Sequence, residues 1–129
     1  MSELHDEMVI PLTPAQWNAN FLSMNQRLSH HPKNDRTQYW RQLLGALARS
    51  QRVLRVPGRG RVEIWFRFPV AQRREVANLQ PTSKAIVDGL VDAGVFEDDR
   101  DELVVGPDNR RTWPNGPHEV RVKIFKEGS

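Results

Sequence analysis

Two arginines and a carboxylate, Arg73-Arg74-Glu75, stand directly after a β-like run, and an acidic cluster, Glu97-Asp98-Asp99, stands directly after Ala93-Gly94. Between them a short helical segment, Pro81 to Ala93, carries Lys84, Asp88 and Asp92 at i, i+4 and i+8. That spacing puts all three on one face, while Ile86 and Leu90 point elsewhere, toward a core. A short helix with carboxylates at both approaches can gather them at one end of a sheet, where they could hold a divalent cation near a phosphate. Phosphodiester hydrolysis is the chemistry such a gathering would serve, because it needs an activated water and a cation on the non-bridging oxygens. The expectation is therefore that Glu75 and Asp98-Asp99 meet at the same end of the sheet.

Met8 to Leu12 is a short apolar run closed by Pro11 and Pro14, an edge-strand pattern. Trp17 to Leu28 shows no clean period; Asn25-Gln26-Arg27-Leu28 with Ser29-His30-His31-Pro32 reads as an extended loop whose polar side chains could reach a phosphate or a base. The best helix runs from Asp35 to Gln51: Asp35 with Gln38 gives a capping-box pattern, and Trp40, Leu43, Leu44, Leu47 and Ala48 make one apolar stripe. Val53 to Val56 is β-like, Pro57-Gly58-Arg59-Gly60 is a turn, and Arg61 to Phe68 alternates as a strand with one buried face. The helix from Pro81 to Ala93 has proline in its first turn and Gly94 just past its end. Glu102 to Val105 reads as a strand, Trp113 to Pro117 as a turn, and Glu119 to Phe125 as a second alternating strand. The order β, α, β, α, β, β implies an α+β fold with a mixed sheet and two main helices. The chain reads as a single domain: an N-terminal strand and loop region (1–34), a helix (35–52), and a sheet with the site helix (61–126).

Composition bounds the function. At 129 residues, 38% hydrophobic and 27% charged, the chain has an ordinary globular composition and length enough for a core. It has no apolar run near bilayer length, and its first residues lack a secretory pattern, so the expectation is a cytoplasmic protein with no membrane partner. With no cysteine, disulfides and thiolate metal sites are excluded. The net charge of +3 is unevenly placed: from Arg27 to Arg74 the chain is dense in arginine and only Asp35 and Glu63 oppose it, while acids concentrate at the N-terminus and from Asp88 to Glu102. Arginine's planar fork suits phosphate, and a basic middle beside an acidic cluster reads either as a nucleic-acid surface around a metal pocket or as a solvated basic face. The four histidines show no zinc spacing, and Gly58-x-Gly60 lacks what a dinucleotide site requires.

The ordered set Arg73-Arg74-Glu75-Val76-Ala77-Asn78-Leu79, then Lys84-Ala85-Ile86-Val87-Asp88-Gly89-Leu90, then Ala93-Gly94-Val95, then Asp98-Asp99, resembles the RusA-like Holliday-junction resolvases of phage type. Asn25-Gln26-Arg27-Leu28 is similar to the N-terminal segment of phage members of that family. The resemblance implies a RusA-like α+β fold and a homodimer that cuts branched DNA with Mg²⁺, or Mn²⁺ in its place. It implies Glu75, Asp98 and Asp99 as metal ligands with Asp88 as a further one, and Lys84 beside the catalytic Glu75 and Asp99 as a phosphate-charge or ligand-orienting residue. Asn25, Arg27, Arg73, Arg74 and Asn78 would contact DNA. Asp88 has a second reading, a helix-surface salt bridge to Lys84 worth only ~0.3–0.5 kcal/mol. The chain departs from the family where its first aspartate is Glu75 and its second is Ala77, and three extra residues precede the lysine. Losing the carboxylate at Ala77 leaves a second function open, a catalytically impaired DNA-binding protein that kept the fold; a third is a structural or partner-binding protein with an incidental basic face.

Overall fold

The computed structural model describes residues 2–69, 75–98 and 103–127. Its elements are β1 (Ser2–Pro11), α1 (Pro14–Asn20), α2 (His30–Ser50), β2 (Gly60–Arg67), a 3₁₀ turn (Val76–Leu79), α3 (Gln80–Asp92), β3 (Val104–Arg111) and β4 (Glu119–Glu127). The four strands form one mixed sheet in the order β1-β4-β2-β3, with β4 antiparallel to both neighbours and β2 parallel to β3. The fold is α+β, with α2 and α3 as its two long helices.

Alternation in β2 and β4 works as the sequence implies. Val62, Ile64 and Phe66 pair with Ile124, Val122 and Val120, and Met8 and Ile10 of β1 extend the same rows. All eight side chains are buried on the face that the helices cover, each worth about 1.5–3 kcal/mol against exposure. Trp40, Leu44 and Ala48 of α2 pack into that core, and Trp40 donates from Nε1 to the Asn20 carbonyl at 2.7 Å. Close approach of α2 to α3 needs glycine: a Cβ on Gly89 would sit 2.4 Å from the Arg41 carbonyl oxygen.

Several boundaries differ from the sequence reading. Helix α2 starts at His30, with Ser29 at the N-cap position but no side-chain cap bond, so His30-His31 is in its first turn and Asp35 lies inside it. Pro32 is tolerated in the first turn, where its missing N–H has no helical partner. The capping box is instead at Thr13–Gln16, where both reciprocal bonds are present and open the short helix α1. Val53 to Val56 forms no strand: Val53 N–H returns to the Ala48 carbonyl after Arg52 at φ 54°, closing α2.

Strand β3 starts at Val104 and runs on to Arg111, beyond the expected end at Val105; Glu102 lies outside the described residues. It continues past Gly106-Pro107 through a bulge: Arg61 pairs with Val105 but Glu63 pairs with Asp108. Gly106 has φ +99°, and a Cβ there would meet the Val62 carbonyl oxygen at 2.8 Å, so the bulge depends on glycine. Its extra residue reverses the alternation that follows. Asn109 therefore turns toward α3, while Arg110 joins the outer face beside Glu63 and Trp65.

That outer face also buries a carboxylate. Glu63 is 7% exposed, bonded by Arg61 and by Trp65 Nε1 at 3.0 Å, with Lys123 Nζ 4.7 Å over the Trp65 ring. Burial pushes the Glu63 carboxyl up, but the Arg61 and Trp65 hydrogen bonds and the Arg110 charge outweigh it and hold the group below the usual range.

Candidate nucleic-acid interface

Three segments distant in sequence converge beside the C-terminal end of β2. The loop after α1 is tied to the start of α3: Leu22 N–H donates to Thr82 Oγ1, whose hydroxyl donates back to the Leu22 carbonyl, both at 2.8 Å. Met24 N–H donates to the Asn78 carbonyl at 2.8 Å. From β3, Asn109 accepts from Ser83 Oγ at 2.5 Å and donates to the Val76 carbonyl at 2.8 Å, clamping the 3₁₀ turn and α3 together. Gln26 holds the loop in shape by accepting from Ser23 N–H at 2.9 Å and donating to the Phe21 carbonyl at 3.1 Å.

Three depressions follow from this convergence. One of about 350 Å³ carries Arg27 and Lys33. A second, about 200 Å³, has Trp17, Phe21 and Phe68 as its floor and Glu75 and Asn78 among its polar groups. The third, about 700 Å³ and more open, is lined by Met24, Ala77, Gln80, Asp108 and Arg110 among others. Ser23 is common to the first two and Met24 to the first and third. A concave surface with cations and amides at its edges can take up phosphates.

The expected site residues distribute unevenly. Glu75 is exposed at the entry to the 3₁₀ turn, where Asn78 Nδ2 donates to it at 3.4 Å. Arg27 and Asn25 are exposed on the docked loop. Lys84 bonds Asp88 at 2.9 Å, so Asp88 has the salt-bridge role. Asp92, third on that face, takes two bonds from Arg41 of α2 at 2.5 and 2.8 Å; those bonds hold its carboxyl below the usual range. Arg73, Arg74 and Asp99 lie outside the described residues.

Asp98 does not join Glu75. Glu75 shares a depression with Phe68, just past the C-terminal end of β2. Asp98 follows Phe96, whose ring lies against Gly60 at the start of β2, and the flanking chain is fixed there by Val56 N–H to the Val95 carbonyl and Gly60 N–H to the Leu103 carbonyl. The 13 residues of α3 separate the two ends by ~20 Å. The reason is topological: β2 and β3 are parallel, so α3 is a crossover that carries the chain back to where β2 began. Residues that enter the crossover and residues that leave it belong to opposite ends of the sheet. Among the described residues no group of three or more His, Cys, Asp or Glu stands together as a metal site.

Sequence reasoning missed Lys33, Asn109 and Arg110 as parts of this surface. Lys33 was visible only as one charge in a basic run, and the other two depend on the bulge in β3. Compared with known proteins, the chain matches no family model, and no curated protein matches it.

Proposed function

We propose that this chain binds branched DNA across the three depressions and cuts it as RusA-like resolvases do. The observation that carries the reading is the docking of the Asn25–Leu28 loop onto the turn that holds Glu75 and Asn78, through Met24 N–H to the Asn78 carbonyl. The two pieces that resemble the family's N-terminal and central motifs thereby form one surface. In this reading Arg27, Lys33 and Arg110 neutralise phosphates, and Asn25 and Asn78 hydrogen-bond the backbone. Arg73 and Arg74 would add charge beside Glu75. A two-fold dimer matches the paired strands of a four-way junction, and light scattering should give twice the chain mass for the free protein and two chains plus the junction for the complex.

Support for cutting is the ordered resemblance from Glu75 to Asp99. Mg²⁺ or Mn²⁺ would supply the Lewis acid, but Glu75 and Asp98 of one copy do not fit a shared ion, and Ala77 offers no carboxylate. A specific observation thus favours the second reading, a DNA-binding protein of this fold that no longer cuts.

The test is anisotropy of a labelled four-way junction titrated at rising salt, followed by a cleavage assay with and without Mg²⁺ or Mn²⁺. Affinity should fall steeply with salt, and Arg27→Ala with Lys33→Ala should weaken binding and flatten the slope. Unchanged binding by that pair removes the loop from the interface. Metal-dependent cuts, increased by Ala77→Asp, support the nuclease; no cuts by either protein, with binding intact, leave the binding protein.

A further inference from the structure

Most arginines of the basic stretch have structural work. Arg36 donates to the Phe21 carbonyl and Arg55 to the Gly94 carbonyl, while Arg41, Arg61 and Arg67 pair with Asp92, Glu63 and Glu119. Arg27 and Lys33 differ, as do Arg52 and Arg59, but only the first two share a cavity. Both are exposed, both line the same cavity of about 350 Å³, and neither side chain is hydrogen-bonded or ion-paired to a described residue. Their charge does nothing for the fold.

Beside Ser23 and Gln26, the cavity also has an apolar side. Leu22 is buried, Leu28 and Pro81 are half-buried, and Met24, 60% exposed, forms its lip. Its size is at the lower end of the ~300–1,000 Å³ that small-ligand pockets span. A paired, stacked base cannot reach an apolar wall of this kind, whereas an unpaired nucleotide presents a π-face and its own phosphate together.

We propose that this cavity receives one unpaired nucleotide at the branch of a DNA substrate, its base or sugar against Leu22, Leu28 and Pro81 and its phosphate between Arg27 and Lys33. This rests on the DNA reading above and assigns the part of the substrate that the cavity takes. Capture depends little on base identity, because Gln26, the one amide lining the cavity, is fixed in orientation by bonds from both its ends to the loop backbone, and Ser23 Oγ accepts from Asn25 N–H. Met24 adapts to purine or pyrimidine through its flexible thioether.

The experiment compares the full chain on two labelled junctions, one fully paired and one with a single unpaired thymidine at the branch. The unpaired form should bind roughly tenfold tighter, the order expected of one charge-assisted phosphate contact. Replacing thymidine by adenosine should leave that ratio unchanged. Arg27→Gln with Lys33→Gln should bring the ratio to about one, with an unaltered circular dichroism spectrum because both side chains are exposed. A short oligothymidylate should shift the Met24 methyl resonance. Equal affinity of the wild type for the two junctions, or a ratio that survives the double substitution, overturns the cavity's assignment while the DNA reading stands. Absence of binding to either junction overturns both.

Discussion

Asn109→Ala tests how the surface is held together. Asn109 makes two hydrogen bonds that no neighbour duplicates, accepting from Ser83 Oγ at 2.5 Å and donating to the Val76 carbonyl at 2.8 Å. Ser83 is fully buried, whereas Val76 is half-buried. Losing the side chain leaves one buried hydroxyl to turn back on its own helix and one carbonyl that water can partly reach. An unsatisfied buried group costs about 1–3 kcal/mol, so the net loss should be about 2 kcal/mol. For a chain of this length that lowers Tm by roughly 6–10 °C. Adding Ser83→Ala should recover part of the loss, because the stranded hydroxyl goes with it, and the double-mutant cycle should show that coupling.

Asn109→Asp refines the test. At pH 7 a carboxylate still accepts from Ser83 but opposes the Val76 carbonyl. Its folded pKa should therefore rise, and the variant should gain stability as pH falls and the protonated acid donates to Val76. Thermal unfolding followed by circular dichroism at pH 7 and pH 5 reads all three variants. The 3₁₀ turn would lose its anchor on the sheet, so junction affinity should drop with Asn109→Ala. If that variant stays within about 0.5 kcal/mol of wild type and binds DNA equally well, the clamp has no role.

Two other perturbations have definite signs. Gly89→Ala gains about 1 kcal/mol of helix propensity, but its Cβ would lie 2.4 Å from the Arg41 carbonyl oxygen and 3.0 Å from Leu44 Cβ; overpacking against backbone costs about 1–3 kcal/mol, so urea unfolding should show net destabilisation, and a more stable variant would refute the contact. The Glu63 carboxyl, raised by burial but lowered further by Arg61, Trp65 and Arg110, titrates in the folded state below its ordinary 4.5. Its contribution to stability is therefore complete above that pH and lost as pH falls through the folded value. Acid unfolding of Glu63→Gln should consequently show a shallower loss below pH 4.5, and an identical acid limb would contradict the assignment.

Much of the candidate surface was legible only in fragments. Asn25-Arg27 and Glu75-Asn78 stand out by residue type, yet nothing in either stretch says that they touch. Their contact depends on Thr82, Met24 and Asn78 meeting across more than fifty residues of chain. The Lys84–Asp88 pair was legible because it is local: i to i+4 spacing on a helix brings the two ends together wherever the helix lies. Asp92 has the same spacing from Asp88, but its partner, Arg41, comes from another helix.

Composition and periodicity determined the α+β class, the buried rows of β2 and β4, the core role of Trp40 and the glycine stop of α3. Each is a property of a few consecutive residues, set by backbone geometry and the removal of apolar side chains from water. Tertiary structure alone decided the direction in which β3 pairs, the reversal of faces at Gly106-Pro107 and the end of the sheet to which each carboxylate belongs. A strand's alternation is the same whether its neighbour runs parallel or antiparallel, so the sequence carried no local mark that α3 is a crossover. The pairing of β3 with β2, long-range and cooperative with the core, set that direction, and with it put Glu75 and Asp98 at opposite ends.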